Sequence, residues 1–337
     1  MIRIGKPIGD ALLSRTSIWK REVHSRNRLN TVKMLESGNH TEENRCLVCE
    51  KSTSVFLNVD EVSYGHCNNC NHVQSSIRPT SAFLETLYGS GNENSSPQDL
   101  AYVNISASTS EARVTEIAEP KVEWVSNLIT FEPQDLWIDI GSGTGDVLIA
   151  AKTFGFKVLG IETSPTEISI AESRSLPTVS MFFDGSQEVP HIKTARVVSI
   201  FNVLEHVLNP VEFLSSISKQ MASGSFLVIE VPRLEGLSTT IQRSEPTTVY
   251  RHIFSPEHLN IFSDLSMDYC LNKIAFDRVA TWYFGSDALE IFSYVINTVY
   301  PESTAGLGKF TKEINLLQRQ IDLMGASDVM LLIAKKK

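Results

Sequence analysis

The sequence of 337 residues lacks long hydrophobic runs and lacks an excess of positive charge. No apolar stretch approaches the ~18–20 residues that a bilayer-spanning helix needs. The N-terminus also lacks the basic-then-apolar pattern of a signal peptide. We therefore expect a cytoplasmic protein without a membrane span. The formal net charge of −9 disfavours binding to a phosphate backbone, so we expect no nucleic-acid partner.

Cysteine is scarce, and four of the five cysteines form two close pairs, Cys46-x2-Cys49 and Cys67-x2-Cys70. Two such pairs at this separation are typical of a tetrahedral four-cysteine zinc site. Four thiolates fill every coordination position, so we expect a structural Zn²⁺ that stabilises a small ribbon. Zinc ribbons often bind nucleic acid, but residues 46–75 carry only Lys51 and two histidines as basic groups. The remaining Cys270 is predicted to lie in the core.

The most informative segment, residues 136–146, reads LWIDIGSGTGD. An apolar run with Asp139 near its end is followed by Gly141, Gly143 and Gly145, and then by a helical pattern. Glycines without a Cβ let the backbone turn sharply beside a ligand, and the helix directs its free N–H groups to the same place. A dinucleotide fingerprint would need glycine at 146, where Asp146 stands. An NAD-dependent enzyme is therefore the less favoured alternative.

Polar residues also close the next three apolar runs. Glu162 ends the second run, Asp184 follows the third, and Asn202 ends the fourth, just before Glu205 and His206. In a doubly wound sheet the carboxyl ends of the strands form the ligand-binding edge. We therefore expect these side chains to meet the glycine loop at one edge of the sheet.

This order of motifs resembles the class I S-adenosylmethionine-dependent methyltransferases, over about residues 120–232 and more loosely in the C-terminal part. The resemblance implies S-adenosylmethionine as cofactor. It implies that the glycine loop holds the methionine portion, that Glu162 binds the ribose, that Asp184 lies beside the adenine, and that Asn202 lies near the methionine end. The loop residues concerned are Asp139, Gly141, Ser142, Gly143 and Gly145.

The fold expected from this resemblance is α/β, a Rossmann-like methyltransferase sheet of seven strands with the last one antiparallel. An N-terminal helical segment and a small zinc ribbon precede it. The first predicted strand begins at Leu136. The other six are predicted over residues 157–161, 179–183, 196–201, 225–231, 276–283 and 329–334.

Four regions are predicted along the chain. They are an N-terminal helical segment (1–45), the zinc ribbon (46–78), linker and lid helices (79–119), and the methyltransferase domain (120–337) with insertions at 233–262 and 287–324. The Gly-, Ser- and Asn-rich residues 89–108 are interpreted as a lid that brings Tyr102 over the ligand. Ser255-Pro256-Glu257 predicts the start of a helix.

A zinc ribbon followed by such a domain resembles bacterial methyltransferases that act on sugar nucleotides or surface glycans. We expect a small-molecule acceptor linked to a sugar, methylated on a hydroxyl or amino group. His206 is the candidate general base and Glu205 its partner. The alternatives are C-methylation of a ketosugar, for which the usual Pro-Leu-Ala-Asn stretch is missing, and a non-catalytic binding protein. A homo-oligomer is left open. Candidate acceptor-binding residues are Tyr102, Arg251, His252 and His258.

Overall fold

The computed structural model describes residues 1–9, 17–89, 110–246, 252–299 and 307–337. The strands are β1 (Ile2–Ile4), β2 (His40–Glu42), β3 (Ser54–Val59), β4 (Val62–His66), β5 (Val73–Ser75), β6 (Ile77–Pro79), β7 (Leu136–Ile140), β8 (Lys157–Glu162), β9 (Thr178–Ser180), β10 (Ala195–Phe201), β11 (Phe226–Pro232), β12 (Asn260–Ile261), β13 (Phe276–Phe284) and β14 (Val329–Lys336).

The helices are α1 (Ser17–Glu36), α2 (Ser81–Gly89), α3 (Ser110–Arg113), α4 (Glu119–Ser126), α5 (Asp146–Thr153), α6 (Pro165–Ser173), α7 (Pro210–Gln220), α8 (Leu237–Ser244), α9 (Asp264–Lys273), α10 (Asp287–Val299) and α11 (Thr311–Leu323). A π-helical turn, Val114–Ala118, joins α3 to α4. None of the described helices is both long enough and apolar enough to cross a membrane.

The main sheet has eight strands in the order β1-β13-β14-β11-β10-β7-β8-β9. Strands β7 to β11 run parallel to one another, and β14 is antiparallel to both of its neighbours. The seven predicted strands and the antiparallel last strand are thus confirmed. The third strand is shorter than expected and shifted, because it ends at Ser180 instead of continuing to Phe183.

The eighth strand corrects the prediction that the N-terminal segment is helical throughout. Ile2, Arg3 and Ile4 pair in parallel with Thr281, Trp282 and Tyr283 at the sheet edge. Alternating β-branched residues suit a strand, and the free edge of β13 supplies the backbone partners. Helix α1 confirms the helical expectation for the later part of that segment.

Alternation along the central strands places the core on both faces of the sheet. Trp137 and Ile138 are adjacent in β7, yet they belong to separate buried clusters on opposite faces, as expected for a strand of period two. Because parallel strands are covered on both sides, only their ends are open to ligands. This geometry directs binding to the edge where β7, β8 and β10 finish.

The four-cysteine region forms a second sheet, with the order β12-β5-β4-β3. Its fourth strand comes from the far end of the predicted 233–262 insertion, through pairing of Asn260 with Gln74 and of Ile261 with Val73. The ribbon and that insertion therefore share one sheet. The helix predicted at Ser255-Pro256-Glu257 is absent: these residues form a turn, and the chain extends into β12 before α9 begins.

Candidate functional site

A cavity of about 860 Å³ opens at the carboxyl ends of the parallel strands. Most of the residues that the sequence singled out line it, and Tyr102 and Arg251 lie outside the described residues. The lining residues among them are Asp139, Gly141, Ser142, Gly143, Glu162, Asp184, Asn202, Glu205, His206, His252 and His258. The edge of the sheet thus brings together side chains that are far apart in sequence.

The glycine loop needs its glycines for conformation and for space. Gly141, Gly143 and Gly145 have φ angles of 73°, 53° and 87°, in the left-handed region that other residues adopt at a cost. A Cβ on Gly141 would lie 2.5 Å from Cγ2 of Val203, and one on Gly145 would lie 2.2 Å from Cδ1 of Leu176. Gly145 is the N-cap of α5. The loop therefore presents bare backbone to the cavity.

Glu162 is the last residue of β8, and its carboxylate accepts hydrogen bonds from three backbone amides. Oε2 accepts from the N–H of Gly143 at 2.8 Å, and Oε1 accepts from Thr163 and Ser164 at 2.7 and 2.8 Å. These contacts fix an acidic side chain between the glycine loop and the start of α6. An acid at this position can accept hydrogen bonds from ribose hydroxyls.

Two aspartates flank this acid in different environments. Asp139 is buried and accepts a hydrogen bond from Ser199 Oγ at 2.6 Å. Burial raises the pKa of Asp139 to about 8. Asp184 accepts from the backbone N–H and the hydroxyl of Ser186, and burial opposes but does not cancel the effect of these hydrogen bonds, which lower its pKa. Asp184 therefore stays ionised at neutral pH.

Asn202 is held beside a buried ion pair. Its Nδ2 donates to Glu230 Oε1 at 3.1 Å, and Lys121 Nζ lies 2.6 Å from Glu230 Oε2. The φ angle of Asn202 is 54°, which bends the chain away from β10 at its end. Lys121 and Glu230 were not singled out from the sequence, because no local pattern indicates a partner 109 positions away.

The predicted base, His206, contacts residues from three segments. Its Nδ1 lies 3.0 Å from both the Tyr88 hydroxyl and the Glu257 carbonyl oxygen. Its Nε2 lies 3.8 Å from Glu205 Oε1. Burial lowers the pKa of His206 to about 4 and raises that of Glu205 to about 8. At neutral pH the histidine is thus neutral and able to accept a proton, whereas the glutamic acid holds one.

Two polar residues that line the cavity, Tyr88 and Asn27, were not singled out from the sequence. Tyr88 contacts His206 from 118 positions away. Asn27 of α1 is 0% exposed and lines the cavity, and neither its amide nitrogen nor its amide oxygen has a hydrogen-bond partner among the described residues. No local signal could have paired either residue with the loop after β10.

The remaining candidate acceptor-binding residues, His252 and His258, have different hydrogen-bond partners. His252 Nε2 lies 3.0 Å from Asp328 Oδ2, a fully buried carboxyl, so this ring joins the cavity wall to the start of β14. His258 Nδ1 lies 2.8 Å from the His252 carbonyl oxygen, and its ring packs edge-on against His206. Arg243, another cation of the predicted insertion, stacks on Phe56 of the ribbon.

The four cysteines converge as a zinc site requires. The Sγ atoms of Cys46 and Cys70 are 3.4 Å apart, as are those of Cys49 and Cys67, and all four lie within 4.8 Å of one another. Zn–S bonds of about 2.3 Å in a tetrahedron put the sulfurs just under 4 Å apart. The donor set and its spacing fit Zn²⁺ with no position left for substrate.

Residues 115–280 match the protein family described as "Methyltransferase domain". No curated protein is significantly similar to the chain. Among solved structures, a geranyl diphosphate C-methyltransferase from Streptomyces coelicolor A3(2) is 12% identical with a TM-score of 0.44, covering 72% of this chain and 88% of that one.

Two further structures are S-adenosylmethionine-dependent methyltransferases. The one from Thermotoga maritima is 13% identical with a TM-score of 0.46, covering 71% of this chain and 96% of that one. The one from Archaeoglobus fulgidus is 20% identical with a TM-score of 0.44, covering 66% and 94%. The matched family and the motif residues both indicate a methyltransferase.

Proposed function

Because this chain is a class I S-adenosylmethionine-dependent methyltransferase, we propose that it methylates a hydroxyl or amino group of a sugar nucleotide or glycan precursor. The observation that carries the proposal is the neutral His206 at the cavity, within reach of Tyr88 and Glu205 and beside the glycine loop. A hydroxyl acceptor must lose its proton as the new bond to the methyl group forms, and a positioned base contributes roughly 10²–10⁴-fold.

In its simplest form, the proposed reaction uses His206 Nε2 as the base. The Glu257 carbonyl oxygen can only accept a hydrogen bond, so Nδ1 carries the ring hydrogen and the lone pair lies on Nε2. The acceptor's proton moves to Nε2 while its oxygen attacks the sulfonium methyl carbon. The positive charge of the sulfonium would end on the imidazolium of His206, and the cofactor would become a neutral thioether.

The described lining supports an uncharged group as the part of the acceptor that enters the cavity. Of the four cationic side chains there, three are in ion pairs: Arg26 with Glu257, Arg113 with Asp146, and Lys121 with Glu230. Carboxyl side chains outnumber cations in the same lining. We therefore propose that a sugar ring, and not its diphosphate, lies against this wall, where Asn27 and Tyr88 offer hydrogen-bonding atoms to ring hydroxyls.

The experiment has two steps that separate cofactor from acceptor. Calorimetric titration with S-adenosylhomocysteine tests the cofactor site, and an absence of binding would contradict the methyltransferase assignment. A panel of sugar nucleotides and free sugars, with transfer of a labelled methyl group as the readout, then tests the acceptor class. His206→Ala is expected to keep S-adenosylhomocysteine binding and to lose at least 100-fold in turnover; near-normal turnover would exclude the base role.

We also propose that the cysteine cluster holds one structural Zn²⁺, supported by the sulfur spacing given above. When bound, the ion cross-links the two cysteine pairs, and the ribbon in turn supports the wall of the cavity. The oligomeric state stays a prediction, which sedimentation equilibrium tests directly.

A further inference from the structure

Three side chains with metal-ligand atoms meet in one corner of the cavity, away from the cysteine cluster. They are Glu205 and His206, in the loop after β10, and His258, in the turn before β12. One ligand atom from each lies within 4.8 Å of the other two. Two imidazoles and one carboxylate on a single face are a donor set that divalent transition metals use, with further positions left open.

Both histidines are oriented as metal ligands usually are. Nδ1 of His206 lies 3.0 Å from the Glu257 carbonyl oxygen, and Nδ1 of His258 lies 2.8 Å from the His252 carbonyl oxygen. Since a carbonyl only accepts, each ring carries its hydrogen on Nδ1 and its lone pair on Nε2. A second-sphere carbonyl that fixes the tautomer in this way is the common support of a ligating histidine.

The carboxyl group supplies the second observation. Glu205 is 1% exposed, and its Oε2 has no hydrogen-bond partner among the described residues. Its Oε1 lies 3.8 Å from His206 Nε2, too far for a hydrogen bond but close enough for both atoms to contact one ion. An unpartnered buried carboxyl group destabilises the fold. A cation between Glu205 and the two rings would displace the carboxyl proton and pair with the carboxylate, which removes that penalty.

The two rings are compatible with one ion between them. Their centroids are 4.8 Å apart and their planes make an angle of 81°. Metal–nitrogen bonds of about 2.0–2.1 Å place two ligating imidazoles at about this separation when the N–metal–N angle is between a right angle and the tetrahedral value. The backbone already sets this arrangement, because the Leu259 and Asn260 amides donate to the Glu205 carbonyl oxygen.

We propose that Glu205, His206 and His258 form a binding site for a divalent transition-metal ion in the acceptor cavity. The site itself is argued from geometry alone, and only its chemical use rests on the proposed function. An ion there would bind the acceptor hydroxyl and would lower its pKa. A coordinated Nε2 accepts no proton, so in the ion-loaded protein His206 would be a ligand and the hydroxyl proton would pass to solvent.

Manganese is the probe for the test, because thiolates of the ribbon are poor ligands for it whereas imidazole and carboxylate are adequate ones. Electron paramagnetic resonance of Mn²⁺ added to the zinc-loaded full chain reports bound and free ion. We expect one bound Mn²⁺ per chain, with affinity reduced at least tenfold in Glu205→Gln and in His258→Gln. The exposed His191→Asn is the matched control and should bind as the parent does.

Thermal melting with and without Mn²⁺ distinguishes a folded variant that has lost the site from a variant that has failed to fold. The ion should raise the melting temperature of the parent and of His191→Asn, but not that of well-folded Glu205→Gln. An absence of bound Mn²⁺ at millimolar concentration, or equal binding by all variants, would overturn the site. Neither result changes the expected binding of S-adenosylhomocysteine. The Mn²⁺ titration therefore tests the metal site, and the S-adenosylhomocysteine titration tests the methyltransferase function separately.

Discussion

At the scale of single residues, the glycine loop shows most directly how side-chain absence produces a binding surface. Gly141 combines a left-handed φ of 73° with the approach of Val203, which belongs to the loop that carries Glu205 and His206. A side chain there would strain its own backbone and displace the neighbouring loop. The glycine loop and the loop that carries Glu205 and His206 are thus in contact through one glycine.

Gly141→Ala should therefore lose S-adenosylhomocysteine affinity by at least tenfold, measured by calorimetry. The added Cβ meets Val203 in addition to the left-handed strain of about 1–2 kcal/mol. Gly155→Ala is the matched control, because Gly155 has a φ of 94° but nothing within 4 Å of its added Cβ. Equal affinities in the two variants would contradict the role of close approach.

The buried Asp139 predicts a pH dependence of stability. Its pKa is raised to about 8 by burial, against about 3.9 for an exposed aspartate. The folded state therefore keeps a proton that the unfolded state releases, and stability contributed by the neutral form is lost as pH rises from about 4 through about 8.

Asp139→Asn removes this titration and should gain stability relative to the parent, by a few kcal/mol at pH 8 and little at pH 4. Urea unfolding of the cofactor-free protein at both pH values measures the difference. The exposed Asp277→Asn should show no such gain. Parallel pH dependence in the parent and Asp139→Asn would refute the assignment.

At the scale of elements, Arg78 at the end of the ribbon connects the ribbon to the loop that carries Glu205 and His206. Its buried guanidinium donates to the carbonyl oxygens of Val207, Leu208 and Leu259. The Tyr64 hydroxyl adds a bond to the His258 carbonyl oxygen at 2.9 Å. The ribbon therefore holds both segments that carry the histidines of the cavity.

Arg78→Ala removes a hydrogen bond from each of those carbonyl oxygens, although Val207 keeps the donor Asn260 Nδ2 and Leu259 keeps the Ser75 amide. The loss should destabilise the protein by about 2–4 kcal/mol. Hydrogen exchange should accelerate across residues 204–208, while S-adenosylhomocysteine affinity stays within a few-fold of the parent. Arg45→Ala, at an exposed arginine that directly precedes the ribbon, is the control and should leave that exchange unchanged. Unaltered exchange in Arg78→Ala would mean that the loop holds its shape without the ribbon.

At the scale of the whole molecule, the second sheet joins the four-cysteine cluster to the part of the chain that lines the cavity. Strand β12 pairs with β5 and lies between the His258 turn and α9, while Ser263 Oγ donates to the Cys70 carbonyl oxygen. Loss of the proposed Zn²⁺ should therefore lower protection from hydrogen exchange well outside residues 46–78.

Cys46→Ser should lower the zinc content from one ion per chain to near zero, measured by elemental mass spectrometry. Exchange protection should then fall at residues 260–263 as well as in the ribbon, because β12 loses its partner strand. Cys270→Ser removes a buried cysteine of α9 and should keep its zinc. Full zinc content in Cys46→Ser would rule out the four-thiolate site.

The sequence by itself determined the local chemistry of this protein. The positions of the seven predicted strands along the chain, the glycine loop, the acids that close the strands and the paired cysteines all follow from patterns only a few residues long. These patterns can be recognised in the sequence because the backbone conformation of a turn or a cysteine pair depends mainly on residues that are adjacent in the chain.

Only the tertiary structure decided which side chains from distant parts of the sequence line the cavity. Asn27 and Tyr88 reach the cavity from elements more than 100 positions before His206, and β1 exists because β13 offers it an edge. Likewise, Ser255-Pro256-Glu257 signals a helix start, yet pairing of β12 with the ribbon draws the following chain into a strand. Long-range backbone partners override local propensity when they satisfy more hydrogen bonds than a short helix can.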